Sequence, residues 1–239
     1  MEYKLVVFDM GNTLLDFHAG KHSDEEKDMI GCKNIKEYLK ENHSVNVSSK
    51  TIKSELIDVW YSDFYKRQQL IELDVCIYVN RFMQKIGCEN HIVNCKALMR
   101  AFYKPYMDEV IINKGGLDAL KSIGKTMKIG VISNCILFDA FYEEVFKIKG
   151  LYKYVDKFIF SYSRQIRKPD KRLFEEMLTC FDCAPHEAIM IGDSYQADIL
   201  PAKALGMKTV HLTHKHSKES ATNICIKSLE EVIESIKCL

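Results

Sequence analysis

Reactive side chains stand at the ends of the apolar runs in this sequence. "LVVFD" closes on Asp9, "IGVISN" on Ser133 and Asn134, and "AIMIGD" on Asp193, with Asp198 five residues further on. Lys168 lies in "IRKPD", just past the apolar "KFIF". Acids, a cation and hydroxyl or amide donors suit phosphoryl transfer to a carboxylate. An Asp with the reference pKa of about 3.9 is ionised at neutral pH and can attack phosphorus, giving an aspartyl-phosphate. Anion then meets anion, so cations are required, and a Mg²⁺ held by a few carboxylates and the substrate phosphate is a common solution. In this reading Asp9 and Asp193 hold the metal. Lys168 neutralises phosphate charge and keeps Asp9 ionised, while Ser133, Asn134 and nearby backbone N–H groups grip the phosphoryl oxygens. Each residue also has a plainer reading: Asp is common in turns, and an acid at Asp198 suits a helix start.

The elements that must gather these residues are legible from hydrophobic period. From residue 112 onward, helical stretches ("GGLDALKSIG", "DAFYEEVFKI", "DKRLFEEMLTCF", "DILPAKALG") alternate with strand-like runs ("MKIGVIS", "KFIFS", "AIMIGD", "KTVHLT"). Leu173, Phe174, Met177, Leu178 and Phe181 share one helical face, Asp170 is a candidate N-cap, and Leu229, Val232, Ile233 and Ile236 mark a closing helix. Strand-helix units with short connections imply an α/β fold with a parallel sheet covered on both faces. Ligands bind such sheets at the carboxyl ends of the strands, where Asp9, Ser133, Lys168 and Asp193 are expected to meet. Residues 17–111 differ, being rich in charge and almost wholly helical in pattern. The expected organisation is a core of residues 1–16 and 112–239 and an inserted helical cap of residues 17–111.

Composition restricts the function classes. The 239 residues are 47% hydrophobic and 28% charged with a net charge of +1, so no global field favours nucleic acid or an acidic membrane. No run approaches the roughly 18 apolar residues of a membrane span, and the first residues lack the basic-then-apolar pattern of a secretion signal. A cytoplasmic protein, monomeric or weakly dimeric, is expected. Nine cysteines without regular spacing read as reduced, mostly buried thiols, and the lone Cys180-x-x-Cys183 as ordinary packing. The eight histidines offer no zinc-type pair on a helix.

Four motifs in order, "FDMGNTL", "VISN", "RKPD" and "IGDSYQADILPAKALGM", resemble those of the haloacid dehalogenase (HAD) superfamily, most of whose members are Mg²⁺-dependent phosphatases. The last motif is the most specific. The resemblance implies a Rossmann-like core under a mobile helical C1-type cap. It also implies Asp9 as nucleophile, Ser133 and Lys168 as phosphate ligands, Asp193 and the main-chain carbonyl of Gly11 as metal ligands, and Asp198 as an acidic helper. A dehalogenase resembles a different first motif, with a bulky aromatic where this chain has Gly11.

The chain departs from the family at Gly11, where its phosphatases usually carry a second Asp that protonates the leaving oxygen and later activates water. General acid–base catalysis is worth about 10²–10⁴-fold, roughly 3–5.5 kcal/mol, so its loss slows an enzyme without abolishing it. Some family phosphatases resemble this chain in reading Asp-x-Gly-Asn here. Asp16 is a substitute proton source to weigh. The expected activity is hydrolysis of small phosphorylated metabolites, with good leaving groups suffering least. A weak or inactive phosphate-binding protein and a phosphotransferase or mutase are the alternatives. Within the cap, Trp60, Tyr61, Phe64 and Tyr65 read as core packing, Lys66 and Arg67 as solvated surface, and His18 and His22 as exposed.

Overall fold

The computed structural model describes residues 3–67, 70–88, 92–213 and 222–239. Eight strands occur among them: β1 (Leu5–Phe8), β2 (Leu15–Asp16), β3 (Ile111–Ile112), β4 (Lys128–Ser133), β5 (Lys157–Phe160), β6 (Ala188–Gly192), β7 (Lys208–Leu212) and β8 (Ile224–Ile226). Six form one parallel sheet in the order β5-β4-β1-β6-β7-β8. The chain runs outward from β1 through β4 and β5, then returns to β6 on the other side. Strand order therefore reverses at β1, and the crevice such a reversal opens lies just beyond Phe8.

The four residues of β1 are wholly buried because both sheet faces are covered. Alternation assigns them: Leu5 and Val7 pack with Leu173, Phe174, Met177 and Leu178, whereas Val6 and Phe8 join the larger apolar cluster opposite. The helix Lys171–Cys180 supplies the first group and is N-capped by Asp170, which accepts from Arg172 N at 3.0 Å. The larger cluster runs without interruption from the sheet into the helices between β2 and β3.

Those helices are Asp24–His43, Ser49–Ile52, Asp58–Lys66, Val75–Lys85 and Cys95–Glu109, with a π-helical turn Lys53–Ile57 joining the second and third. The chain leaves and rejoins the core through the antiparallel pair β2–β3, with Leu15 opposite Ile112 and Asp16 opposite Ile111. Among the described residues, no helix is long and apolar enough to cross a membrane.

Several expectations change. Cys76 and Cys95, each in the first turn of its helix, are joined as a disulfide where packing brings their Cα atoms to 5.6 Å. Cys180, Cys225 and Cys238 are exposed, so the cysteines are neither all reduced nor mostly buried. Trp60 is fully buried, as expected of core packing, but Tyr65 is 79% exposed. Arg67 is not solvated, since its side chain is folded onto the Phe64 ring and lies 3.4 Å from buried Glu72. Strand β8 and the short helix Ser161–Arg164 had no clear signature in the hydrophobic pattern.

Candidate active site

Asp9 is the first residue after β1, held by its N–H donating to Ile191 O at 2.9 Å on β6. The chain then folds back on itself: Leu14 N and Leu15 N both donate to Met10 O at 2.9 Å, with Asn12 in the left-handed region at φ 58°. This tight turn sets Gly11 beside Asp9. A Cβ added to Gly11 would meet no atom within 4 Å, so the small residues around Asp9 leave open space.

Lys168 is the hub. Its Nζ donates to Asp9 Oδ1 at 2.5 Å, Asp198 Oδ1 at 2.6 Å and Ile132 O at 3.0 Å, with the side chain only 2% exposed. Burial alone would depress this ammonium, yet the carboxylates of Asp198 and Asp9 outweigh it and raise it above the usual lysine range. Asn134, at the end of β4, fixes the lysine backbone from both sides: Lys168 N donates to Asn134 Oδ1 at 2.7 Å, and Asn134 Nδ2 donates to Lys168 O at 3.1 Å. Both ends of the Asn134 amide are thus engaged in holding Lys168. Ser133, 2% exposed, closes β4 beside it.

Asp198 sits inside a π-helical turn, Tyr195–Ile199, that begins three residues earlier than the sequence pattern implies. Its two oxygens are divided: Oδ2 accepts from Ser194 N at 3.0 Å at the start of the turn, while Oδ1 takes Lys168. Gly192 makes this possible, because a Cβ there would lie 2.4 Å from Asp198 Oδ2. Burial raises the Asp198 carboxyl to about 7 despite the neighbouring ammonium. Asp193 is also raised, first by burial and then by the charge of Asp9, and its carboxylate accepts a long hydrogen bond from Thr13 Oγ1 at 3.4 Å.

Carboxylate oxygens of Asp9, Asp193 and Asp198 lie within 4.8 Å of one another. An all-oxygen, acidic donor set with a poorly partnered Asp193 fits a hard divalent cation such as Mg²⁺. These residues line a cavity of about 260 Å³ together with Gly11, Asn12, Phe17, His18, Ser133, Asn134, Lys168 and Ser194. The fold therefore gathers Asp9, Gly11, Ser133, Asn134, Lys168, Asp193 and Asp198 from four strand ends. Asp16 belongs elsewhere, lining a larger neighbouring hollow of about 950 Å³ and accepting from His18 N and Ala19 N at 2.8 and 3.0 Å. His18 is exposed as expected, at 64% of its side chain, but it faces the cavity of Asp9. The sequence carried no periodic signal for that placement.

The sequence matches the haloacid dehalogenase-like hydrolase family over residues 3–206, and the chain belongs to that family. It is 34% identical over 91 residues to a glyceraldehyde 3-phosphate phosphatase of Methanothermobacter thermautotrophicus, covering 38% of each chain. It is 36% identical over 70 residues to a phosphoserine phosphatase of Thermus thermophilus, covering 28% of each. The chain thus spans well under half the length of these two relatives. Its fold is similar to that of the 2-haloacid dehalogenase from Pseudomonas syringae pv. Tomato DC3000, with a TM-score of 0.66, 18% identity and 99% of both chains covered.

Proposed function

We propose that this chain is a Mg²⁺-dependent phosphatase of small phosphorylated metabolites, working through an aspartyl-phosphate on Asp9 beneath a cap of residues 17–111. The observation that carries the reading is the buried triad in which Lys168 Nζ bridges Asp9 Oδ1 at 2.5 Å and Asp198 Oδ1 at 2.6 Å. A turn-capping acid needs no buried ammonium, whereas a nucleophile facing phosphate does. One oxygen of Asp9 is held by Lys168, which fixes the carboxylate's orientation for attack by the other. Ser133 and the lysine donate to phosphoryl oxygens as charge redistributes in the transition state. Asn134 acts by locking the Lys168 backbone, and Asp198 by holding its ammonium.

Asp9, Asp193 and the Gly11 carbonyl would hold Mg²⁺, which neutralises phosphate charge and strengthens the electrophilicity of phosphorus. The small cavity, about 260 Å³, favours small substrates over folded proteins. The names of the two phosphatase relatives support the same class. A phosphate-release screen over small phosphoesters tests this, run with and without Mg²⁺. Release that needs Mg²⁺ and disappears in Asp9→Asn is expected. Release unchanged in Asp9→Asn refutes the assignment of the nucleophile.

A further inference from the structure

The cavity has a nucleophile, a cation and an acidic pocket but, with Gly11 bare, no proton donor for a leaving oxygen where the family usually has one. His18 lines that same cavity. Its Nδ1 is 2.7 Å from Asp24 Oδ2. A carboxylate only accepts, so Nδ1 carries the hydrogen and Nε2 is the atom left to exchange protons. Among the described residues no partner occupies Nε2, although Nδ1 is engaged.

The backbone around this imidazole is tied from every side. Asp16 accepts from the N–H groups of His18 and Ala19. Lys27, wholly buried, donates its Nζ to Phe17 O at 2.9 Å and Ala19 O at 2.5 Å, gripping the carbonyls that flank His18. His22 is bound through its ring and its N–H to Glu109, whose carboxylate lies 3.9 Å from Lys27. Asp24 is the first residue of the helix Asp24–His43, whose start is secured by a capping box between Ser23 and Glu26. An ordinary surface loop needs no fully buried lysine to brace it, and no acid clamped on its histidine.

We propose that His18, oriented by Asp24, is the acid–base residue of this enzyme and replaces the side chain missing at Gly11. The assignment rests on the phosphatase reading of Asp9. In the first half-reaction Asp9 attacks phosphorus, the bond to the leaving oxygen breaks, and the His18 imidazolium gives its Nε2 proton to that oxygen. In the second, neutral Nε2 takes a proton from water as the water oxygen attacks the aspartyl-phosphate. The phosphorus–Asp9 bond then breaks, giving phosphate and restoring both residues. Asp24 holds the ring through Nδ1 and keeps the tautomer.

The test compares p-nitrophenyl phosphate, whose leaving group needs little protonation, with n-propyl phosphate, whose leaving group needs much. In His18→Ala, kcat/KM for n-propyl phosphate should fall about 10²–10⁴-fold. For p-nitrophenyl phosphate kcat/KM should fall less than tenfold, while kcat falls further and a burst of nitrophenolate, one per active site, precedes the slow phase. Added imidazole should restore turnover, and His18→Gln should behave like His18→Ala. Adding Gly11→Asp to His18→Ala should restore n-propyl phosphate hydrolysis, since the added side chain enters open space. Equal losses on both substrates in the alanine and glutamine variants, or no loss on n-propyl phosphate, overturn the role of His18. Activity unchanged in Asp9→Asn overturns the assignment of Asp9 as nucleophile, on which this proposal rests, instead.

Discussion

Replacing Lys168 by Met keeps a long unbranched side chain while deleting the charge on which Asp9 and Asp198 depend. The three side chains are 2%, 8% and 1% exposed, so water cannot take over from the ammonium. Breaking a buried ion pair by removing one partner costs about 3–5 kcal/mol, a large share of the roughly 5–15 kcal/mol by which domains are stable. With a slope near the upper end of the usual 1–3 kcal/mol/M, the urea midpoint should drop by about 1–2 M. The sign with pH is also fixed. Burial already raises Asp198 to about 7, and Lys168 is the group that lowers it. Without the lysine the folded-state value climbs further above the unfolded one, so the folded state of the variant favours the protonated acid. Its stability deficit is therefore smallest in acid and grows as pH rises. Lys168→Met/Asp198→Asn should recover part of the loss, growing with pH, because the buried acid that must otherwise be protonated or left uncompensated is gone, yet remain inactive. Urea titrations of the three proteins between pH 5 and 8 measure this. A deficit below about 1 kcal/mol, or one that grows on acidification, refutes the reasoning.

Gly192→Ala should lose about 1–3 kcal/mol and most activity, because the new methyl would press on Asp198 Oδ2 from 2.4 Å and displace it from Lys168; denaturation and the kcat of p-nitrophenyl phosphate hydrolysis check it. Asp28, in the first helix of the insert, is raised by burial against the hydroxyl bonds of Tyr106 and Tyr61 that lower it. An acid whose folded value is raised contributes most when protonated. Stability should thus fall as pH rises through and above the usual carboxylate range, and Asp28→Asn should flatten that slope in thermal melts across pH 4–7.

The strands legible in the sequence are those whose burial leaves no choice. β1, β4 and β6 are apolar on both faces, so "LVVF", "KIGVIS" and "AIMIG" read as buried parallel strands without tertiary information. Asp9 and Asp193 follow such runs directly, and Lys168 lies in a recognisable loop, which is why they stood out. β8 was not legible because it is a three-residue edge strand, one of whose residues is exposed. Arg67, folded onto Phe64 and facing Glu72, and Cys76, paired with Cys95 of the next helix, are placed by tertiary contacts to which local pattern is blind.

What this sequence determined by itself is the alternation that builds the sheet and the chemical types waiting at its strand tips, because period and burial are local properties of the chain. Only the tertiary structure decided how those side chains divide their bonds. It turned Asn134 onto the Lys168 backbone, shared Asp198 between the Ser194 N–H and an ammonium, and sent Asp16 into the neighbouring hollow. It also carried His18 to the cavity of Asp9, since hydrogen-bond partners far apart in the chain become choices only when folding brings them within about 3 Å.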